Sequence, residues 1–245
     1  MLEKNVFGQY LFLKKAIMRM ASPFTYMRFS VINKNEITGA ELYNELPSKN
    51  VLFVSNHQTY FADVAYMIHA MGNAKTGKPN QITFWDFFLR PYTNFYYVAA
   101  AETMDSGIIP KLFKLTGSIS IKRTWREAGE NIKREVDKND TDSIEKALKS
   151  GWVITFPQGT TKPYVPGRKG TAHIIKNYKP IVVPVMVDGF RRAFDKKGLL
   201  IKKKGSTLKL TIKKPLDINY DDSVENILEQ VMDAIEQSPK FQGTL

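Results

Sequence analysis

The chain has no cysteine. Disulfides, thiolate metal sites and a cysteine nucleophile are therefore excluded, and a reducing compartment suits the composition. Histidine is nearly as scarce. His57, His69 and His173 are the only three in 245 residues, and their spacing is not that of metal ligands. Helix packing is the role expected for His69 and His173. No apolar run reaches the length that spans a bilayer. Met1-Leu2-Glu3-Lys4 opens no basic region followed by an apolar core and a small-residue cleavage site, so no signal peptide is expected. There is no internal repeat, no low-complexity tract and no Gly-x-Ser-x-Gly elbow, the usual sign of one class of serine hydrolase. Acidic residues are also few: 24 Asp and Glu face 36 Lys and Arg, a net charge of +12. Such a surplus needs an anionic partner. Nucleic acid, an anionic bilayer surface, a phosphate-bearing substrate and an acidic carrier protein all qualify.

A hydrophobic content of 43% in a chain of this length is ample for one large α/β domain or two small ones. The most informative stretch is Val51–Asp63. Val51-Leu52-Phe53-Val54 has the length and branched side chains of a buried strand, and it stops at the polar run Ser55-Asn56-His57. In open α/β sheets the crevice beyond the strands' carboxyl ends is where ligands bind. Asp63 opens a helix expected over about 62–71, where an acidic residue is favoured by the helix dipole. It can also hold one imidazole nitrogen and leave the other as a base. Taken alone, Asn56 and Asp63 equally suit turn and cap positions, and His57 a surface loop.

Further strands are expected at Gln81–Phe84, Phe95–Ala99, Ser118–Ile121, Trp152–Phe156, Ile181–Val187 and Leu208–Ile212. Helices are expected over Ile108–Leu115, Gly170–Asn177 and Val224–Gln237. Residues 125–149 read as helices with a polar break at Asn139-Asp140, after which Thr141 or Asp142 caps the second. Gly72–Pro79 reads as a loop, and 33–50 as a linker or edge segment. The alternation predicts an α/β fold, a central mixed sheet flanked by helices, with the last strands antiparallel. Residues 2–32 mix large apolar side chains with Lys14, Lys15, Arg19 and Arg28. They read as two short amphipathic helices broken at Ser22-Pro23, which either lie in a bilayer interface or pack as core. The expected division is thus 1–32, an amphipathic segment, and 33–245, the main α/β domain.

Three more stretches carry chemistry. Gly117-Ser118-Ile119-Ser120-Ile121-Lys122-Arg123 is a strand that delivers two cations, and an arginine fork suits phosphate. Phe156-Pro157-Gln158-Gly159-Thr160-Thr161 is a tight Pro-x-Gly turn whose amides can face an anion. Val182-Val183-Pro184-Val185 reads as a buried strand with an edge proline. Together with Ser-Asn-His-Gln-Thr and Asp63, these stretches resemble, in order over about residues 51–190, the four motifs of the glycerolipid acyltransferases. That family includes the 1-acylglycerol-3-phosphate and glycerol-3-phosphate acyltransferases. Three positions depart from its pattern. Five residues rather than four separate His57 from Asp63, Gln158 stands for Glu, and Thr161 stands for Arg, with Lys162 or Arg168 as replacement cations. An insertion within a helix would turn Asp63 by about 100°, so the pairing requires the extra residue to lie in the loop before it.

The resemblance implies transfer of an acyl group from a thioester, on coenzyme A or acyl carrier protein, to a hydroxyl. The acceptor it implies is a lysophospholipid, 1-acylglycerol-3-phosphate first, with glycerol 3-phosphate or a lyso-amino-acid lipid as alternatives. His57 would remove the hydroxyl proton and Asp63 would orient the ring. Asn56 would bind substrate. Arg123, with Lys122 or Arg168, would hold the acceptor's phosphate, and Gln158, Gly159 and Thr160 would position the acceptor or the oxyanion. The reading implies no metal, no cofactor beyond the acyl donor, no nucleic acid, and a peripheral place on the cytoplasmic face of an anionic membrane. A non-catalytic basic protein that binds membrane or nucleic acid would explain the charge but not the motifs.

Overall fold

The computed structural model describes residues 3–104, 107–122, 126–127, 130–131 and 138–243. Helix α1 (Leu11–Tyr26) runs directly into a π-helical turn, Met27–Val31. Strand β1 (Lys34–Thr38) and the short α2 (Leu42–Glu45) fill the expected linker or edge segment. They are followed by β2 (Val51–Ser55), α3 (Ala62–Lys75), α4 (Phe84–Leu89), β3 (Phe95–Ala100), α5 (Ala101–Met104), α6 (Ile108–Lys114) and β4 (Ser118–Ile121). A minimal antiparallel pair, β5 (Arg126–Glu127) and β6 (Glu130–Asn131), precedes α7 (Lys138–Ser150). Then come β7 (Trp152–Thr155), α8 (Lys169–Tyr178), β8 (Ile181–Asp188), α9 (Phe190–Ala193), β9 (Thr207–Ile212) and α10 (Val224–Ala234).

Seven strands form one mixed sheet in the order β1-β9-β8-β2-β7-β3-β4. Every neighbouring pair is parallel except β8 with β9. The carboxyl ends of β8, β2, β7, β3 and β4 therefore emerge along one rim. β2 and β7 are buried at every residue, which is why their sequences are unbroken apolar runs rather than alternating ones. On one face pack α1, α3 and α4, through Met18, Met67, Met71 and Phe87. On the other pack α7, α8 and α10, through Leu148, Ile175 and Val231.

Several expectations are corrected. Ser22-Pro23 does not divide the N-terminal segment. Proline removes one donor in the last turns of α1, and the Thr25 hydroxyl, within 3.2 Å of the Ala21 and Ser22 carbonyls, helps satisfy the disturbed turn. The π-helical turn that follows absorbs the change in winding. Residues 81–84 are not a strand. The Asn73 side-chain oxygen accepts from both the Thr83 N–H, at 3.2 Å, and its hydroxyl, at 2.5 Å, which fixes this stretch as the entry to α4. The same Asn73 lies on α3, which continues through Gly72 to Lys75 instead of ending in a loop. Helix α7 begins before the polar pair Asn139-Asp140, and β5 and β6 occupy part of the range expected as helix.

Pro184 is not on an edge. β8 lies between β2 and β9. The β8–β9 ladder runs from Val185–Ile212 to Asp188–Lys209, so Pro184 sits just past its last rung. Its carbonyl accepts from Lys213 N–H at 2.9 Å, and only the return bond is missing.

Helix α1 is anchored to the sheet by a buried cation. Lys14 is 1% exposed. Its ammonium donates to the Thr93 and Phe95 carbonyls at 2.9 and 2.7 Å and lies 3.8 Å from the centre of the Phe95 ring. Burial holds its pKa well below the ordinary lysine value. Lys14 is thus an interior residue, not one of the surface cations that the sequence suggested.

His69 is a second buried group joining α1 to α3. Its ring stacks on Phe87 with centroids 3.6 Å apart. Nε2 lies 2.7 Å from Thr25 Oγ1. That hydroxyl spends its single proton on the α1 carbonyls, so it accepts from Nε2–H, and Nδ1 is left as a buried lone pair without a partner. Burial pushes the His69 pKa down to about 3 from 6.5. The unfolded chain therefore takes up a proton that the folded chain refuses. The stability linked to this group is present above pH 6.5 and is lost as pH falls from there towards 3, on the order of a few kcal/mol in all. Denaturant melts at pH 7 and pH 4 should show a larger acid loss in the wild type than in His69→Gln. An equal loss in both would exclude His69 as a source of acid sensitivity.

Candidate active site

The carboxyl ends of β2, β7, β3 and β4 open into one cleft of about 640 Å³. Strand order explains this: β2 lies between β7 and β8, and the chain passes over it to join them. Such a crossover point leaves a crevice above the strand ends. His57, two residues past β2, lines the cleft, as do Phe156 and Gly159 after β7, Ala100 at the end of β3, and Lys122 after β4.

His57 and Asp63 meet. His57 Nδ1 lies 3.0 Å from Asp63 Oδ2, and the Asp63 side chain is fully buried. The extra residue in the spacing lies in the loop 56–61, ahead of α3, and so leaves the helix register untouched. That loop wraps around the carboxylate. Oδ2 also accepts from the N–H groups of Gln58, at 2.5 Å, and Thr59, at 3.1 Å, and Oδ1 accepts from Thr59 Oγ1 at 2.6 Å. A buried carboxyl needs such partners, since an unsatisfied one costs several kcal/mol. The bonds also fix the acceptor facing His57 Nδ1. Asp63 carries no donor when ionised, so Nδ1 holds the ring proton and Nε2 is the nitrogen open to a substrate. One face of the ring is covered by Phe156, stacked on His57 with centroids 3.9 Å apart and planes at 20°. Loops after two neighbouring parallel strands thus clamp one imidazole.

The other candidate residues divide. Lys122, Gly159, Thr160 and Arg168 line the cleft. Arg123 lies outside the described residues. Asn56 is a correction: its amide is used within the protein, donating to the Val187 carbonyl at 2.9 Å and accepting from the Val187 N–H at 2.8 Å. It ties the end of β2 to β8 and so positions His57 from behind. Gln158 is a second correction. It is buried, and its Nε2 donates to the Val165 carbonyl at 3.0 Å, so it braces the loop 159–168 instead of facing the cleft. Gly159 adopts φ +62°, and its N–H donates to the Phe156 carbonyl at 2.9 Å, closing the tight turn. That amide is thereby committed to the turn. Of the two replacement cations, Arg168 lines the cleft, whereas Lys162 is exposed and does not.

Much of the remaining wall is apolar: Val64, Tyr97, Ala99, Met104, Phe113 and Ile144. A histidine–carboxylate pair at the head of an apolar cleft, with Lys122 and Arg168 on its wall, suits proton removal from a hydroxyl on a molecule with both a long apolar part and an anionic part. A sequence model of the acyltransferase family matches residues 34–188.

The chain belongs to the acyltransferase family.

The match begins at β1 and ends with β8, so the family's sequence pattern spans both the His57 loop and the Pro157–Gly159 turn of this acyltransferase. No curated protein matches it in sequence. In fold it is similar to the crystal structure of the 1-acyl-sn-glycerophosphate (LPA) acyltransferase PlsC from Thermotoga maritima. The two are 14% identical, with a TM-score of 0.54, and the alignment covers 91% of this chain and 80% of that one. The mixed sheet flanked by helices is common to both.

Sequence reasoning missed several residues of this acyltransferase's site. Thr59, which binds Asp63 twice, stands inside the Ser-Asn-His-Gln-Thr run and could have been read as a hydroxyl within reach of the carboxylate. Helix packing was the role expected for His173. It is exposed on α8 and lines the cleft, as do Lys169 and Asn177 at helical spacing on either side of it. Arg191 stood out in the sequence only as part of a very basic region, 190–205. Its guanidinium donates to the Thr161 carbonyl at 2.7 Å while its N–H donates to Gln58 Oε1 at 3.1 Å, linking the loops after β2 and β7.

Proposed function

We propose that the protein transfers a fatty acyl group from an acyl thioester to the hydroxyl of a lysophospholipid, 1-acylglycerol-3-phosphate first, in phospholipid synthesis. The observation that supports this most is the His57–Asp63 pair at 3.0 Å on the wall of a largely apolar cleft. In this reading His57 Nε2 takes the acceptor's hydroxyl proton as the oxygen attacks the thioester carbonyl. Asp63, accepting from Nδ1–H, stabilises the imidazolium. When the tetrahedral intermediate collapses, the carbon–sulfur bond breaks and the imidazolium returns the proton to the leaving thiolate. The acyl chain occupies the apolar wall around Val64, Tyr97 and Phe113. Arg168 and Lys122, with Arg123, hold the acceptor's phosphate. The donor is acyl-coenzyme A or acyl carrier protein, and no further cofactor takes part. Glycerol 3-phosphate and lyso-amino-acid lipids are the competing acceptors: the phosphate contacts disfavour the second, and only the apolar wall separates the first from 1-acylglycerol-3-phosphate.

The reading also places the protein peripherally, on the cytoplasmic face of an anionic membrane. Residues 1–32 form the membrane-facing layer and 33–245 the acyltransferase domain. Phe12, Met20, Phe24 and Val31 are exposed on the N-terminal segment, and among the described residues no helix is long and apolar enough to cross a membrane.

Arg168→Gln should raise KM for a phosphate-bearing acceptor about tenfold and change kcat much less, because a lost ground-state contact acts on binding. Steady-state rates on 1-acylglycerol-3-phosphate and on an uncharged monoacylglycerol test this. Equal effects on both acceptors would remove Arg168 from phosphate binding.

A further inference from the structure

Residues 191–204 carry seven cations, Arg191, Arg192, Lys196, Lys197 and Lys202–Lys204, against one acid, Asp195. All seven are exposed. Asp195 faces inward on its own loop, where its Oδ1 accepts from the N–H groups of Leu199 and Leu200 at 2.7 and 2.8 Å. It leaves the cations largely unneutralised. The ammonium groups of Lys197, Lys203 and Lys204 have no acceptor among the described residues. At the tip stands Leu200, 70% exposed. The loop is not slack, because a bridge between Phe194 and Ile201 closes it and the Asp195 N–H donates to the Leu200 carbonyl at 2.9 Å.

This loop is fastened to the catalytic loop. The N–H groups of Tyr60 and Phe61 donate to the Lys196 and Lys197 carbonyls at 3.0 and 3.1 Å. Gly198, at φ +77°, lies so close that an added Cβ would sit 2.8 Å from Ala62 N and from Thr59 Oγ1, the hydroxyl that binds Asp63. On its other side, Arg28 donates to the Gly198 carbonyl at 2.9 Å and lies over the Phe194 ring. That contact joins the loop to the N-terminal segment where Phe24, Met27 and Val31 are exposed.

We infer that the 191–204 loop is a docking surface for an anionic bilayer, seated beside the cleft mouth. Its lysines lie among lipid phosphates and Leu200 enters the acyl boundary. Clustered cations of which only Arg192 has an acid partner, Asp188 at 3.0 Å, an apolar tip between them and an exposed apolar segment alongside favour a bilayer over a nucleic acid or an acidic protein, neither of which needs the apolar part. The inference deepens the membrane part of the proposed function and rests on it. Vesicle binding is measured without turnover, so its failure is distinct from failure of acyl transfer.

The test uses the full chain and vesicles of phosphatidylcholine with 30 mol% phosphatidylglycerol, a composition chosen at roughly the order of cytoplasmic leaflet charge. Lys197→Gln/Lys203→Gln/Lys204→Gln removes three charges and leaves every backbone bond to Tyr60 and Phe61 intact. At low salt it should lose about a hundredfold in vesicle partitioning. Lys49→Gln/Lys149→Gln/Lys179→Gln removes the same charge at the opposite end of the strands and should lose less than about threefold. Because the chain has no cysteine, Leu200→Cys takes a single environment-sensitive dye. Its emission should shift to the blue on these vesicles and not on pure phosphatidylcholine. Equal losses in the two triple variants, or an unshifted dye, would overturn the assignment. So would a loop variant that keeps vesicle binding and loses affinity for acyl carrier protein or for a DNA duplex.

Discussion

His57→Ala is expected to lower kcat for acyl transfer by a factor on the order of a thousand, with Asp63→Ala close behind at a hundred or more. Both changes remove one function, the transfer of a single proton through an oriented imidazole. The double variant should therefore be little worse than His57→Ala alone. The geometry gives the two single variants different structural consequences. His57 lies on the cleft wall, and its loss leaves the loop 56–61 tied to Asp63. Asp63 accepts from Gln58 N–H, Thr59 N–H and Thr59 Oγ1 as well as from His57. Its removal strands three loop donors besides the histidine and should also destabilise the fold by about 2–4 kcal/mol. Asp63→Asn separates the effects. It keeps an acceptor for the loop but presents an amide that can no longer accept from Nδ1–H as a charged partner. Melting temperature and single-turnover rate, measured together on the three variants, check this. If Asp63→Ala retained near-full rate, another group would have to orient the histidine.

Lys14→Glu should have the largest effect on stability, a loss of about 4 kcal/mol or more, a large share of a typical domain's total. A carboxylate at this position would face the Thr93 and Phe95 carbonyls and the π-face of Phe95, where only a donor is accommodated. Gly117 packs directly on the ammonium: a Cβ there would lie 2.8 Å from Nζ. Lys15→Glu, one residue along on a half-buried site, is expected to change stability by only about 0.5 kcal/mol. Equilibrium unfolding in urea distinguishes the two. Comparable behaviour of the two variants would mean that α1 is not anchored through Lys14. The contrast also bears on membrane work, because charge reversal at Lys14 would report on folding and not on vesicle attraction.

The sequence carried the parts of this molecule that obey short-range rules. Unbroken apolar runs with abrupt polar ends identified β2 and β7, and the loops that follow them bring His57, Phe156 and Gly159 to the cleft. The alternating Ser118–Ile121 gave β4. The dyad was legible because its two residues are six apart and their loop is local. What the sequence left hidden depends on contacts across the chain. Gln81–Phe84 has the composition of a strand, yet Asn73, about ten residues earlier, claims the Thr83 donors and turns it into a helix entry. Asn56 and Gln158 are polar residues in motif positions, and from sequence they read as ligands. Each instead completes a backbone group that folding would leave unpaired, at Val187 and Val165. Lys14 looked like a surface cation since lysine is rarely buried, and only the arrival of two carbonyls at the start of β3 makes its burial tolerable. Pro184 was placed on an edge by a rule that holds for ladder interiors. It escapes that rule because β9 ends one residue short of it.

The measurement that bears most directly on acyl transfer at the His57 cleft is thiol release from palmitoyl-coenzyme A, with and without 1-acylglycerol-3-phosphate, and with phosphatidic acid followed in the same samples. Thiol and phosphatidic acid should appear in equal amounts, only when the acceptor is present, and both should vanish in His57→Ala with its melting temperature unchanged. Thiol release that is indifferent to the acceptor would make the protein a thioesterase. Product formation that survives loss of His57 would place the chemistry elsewhere.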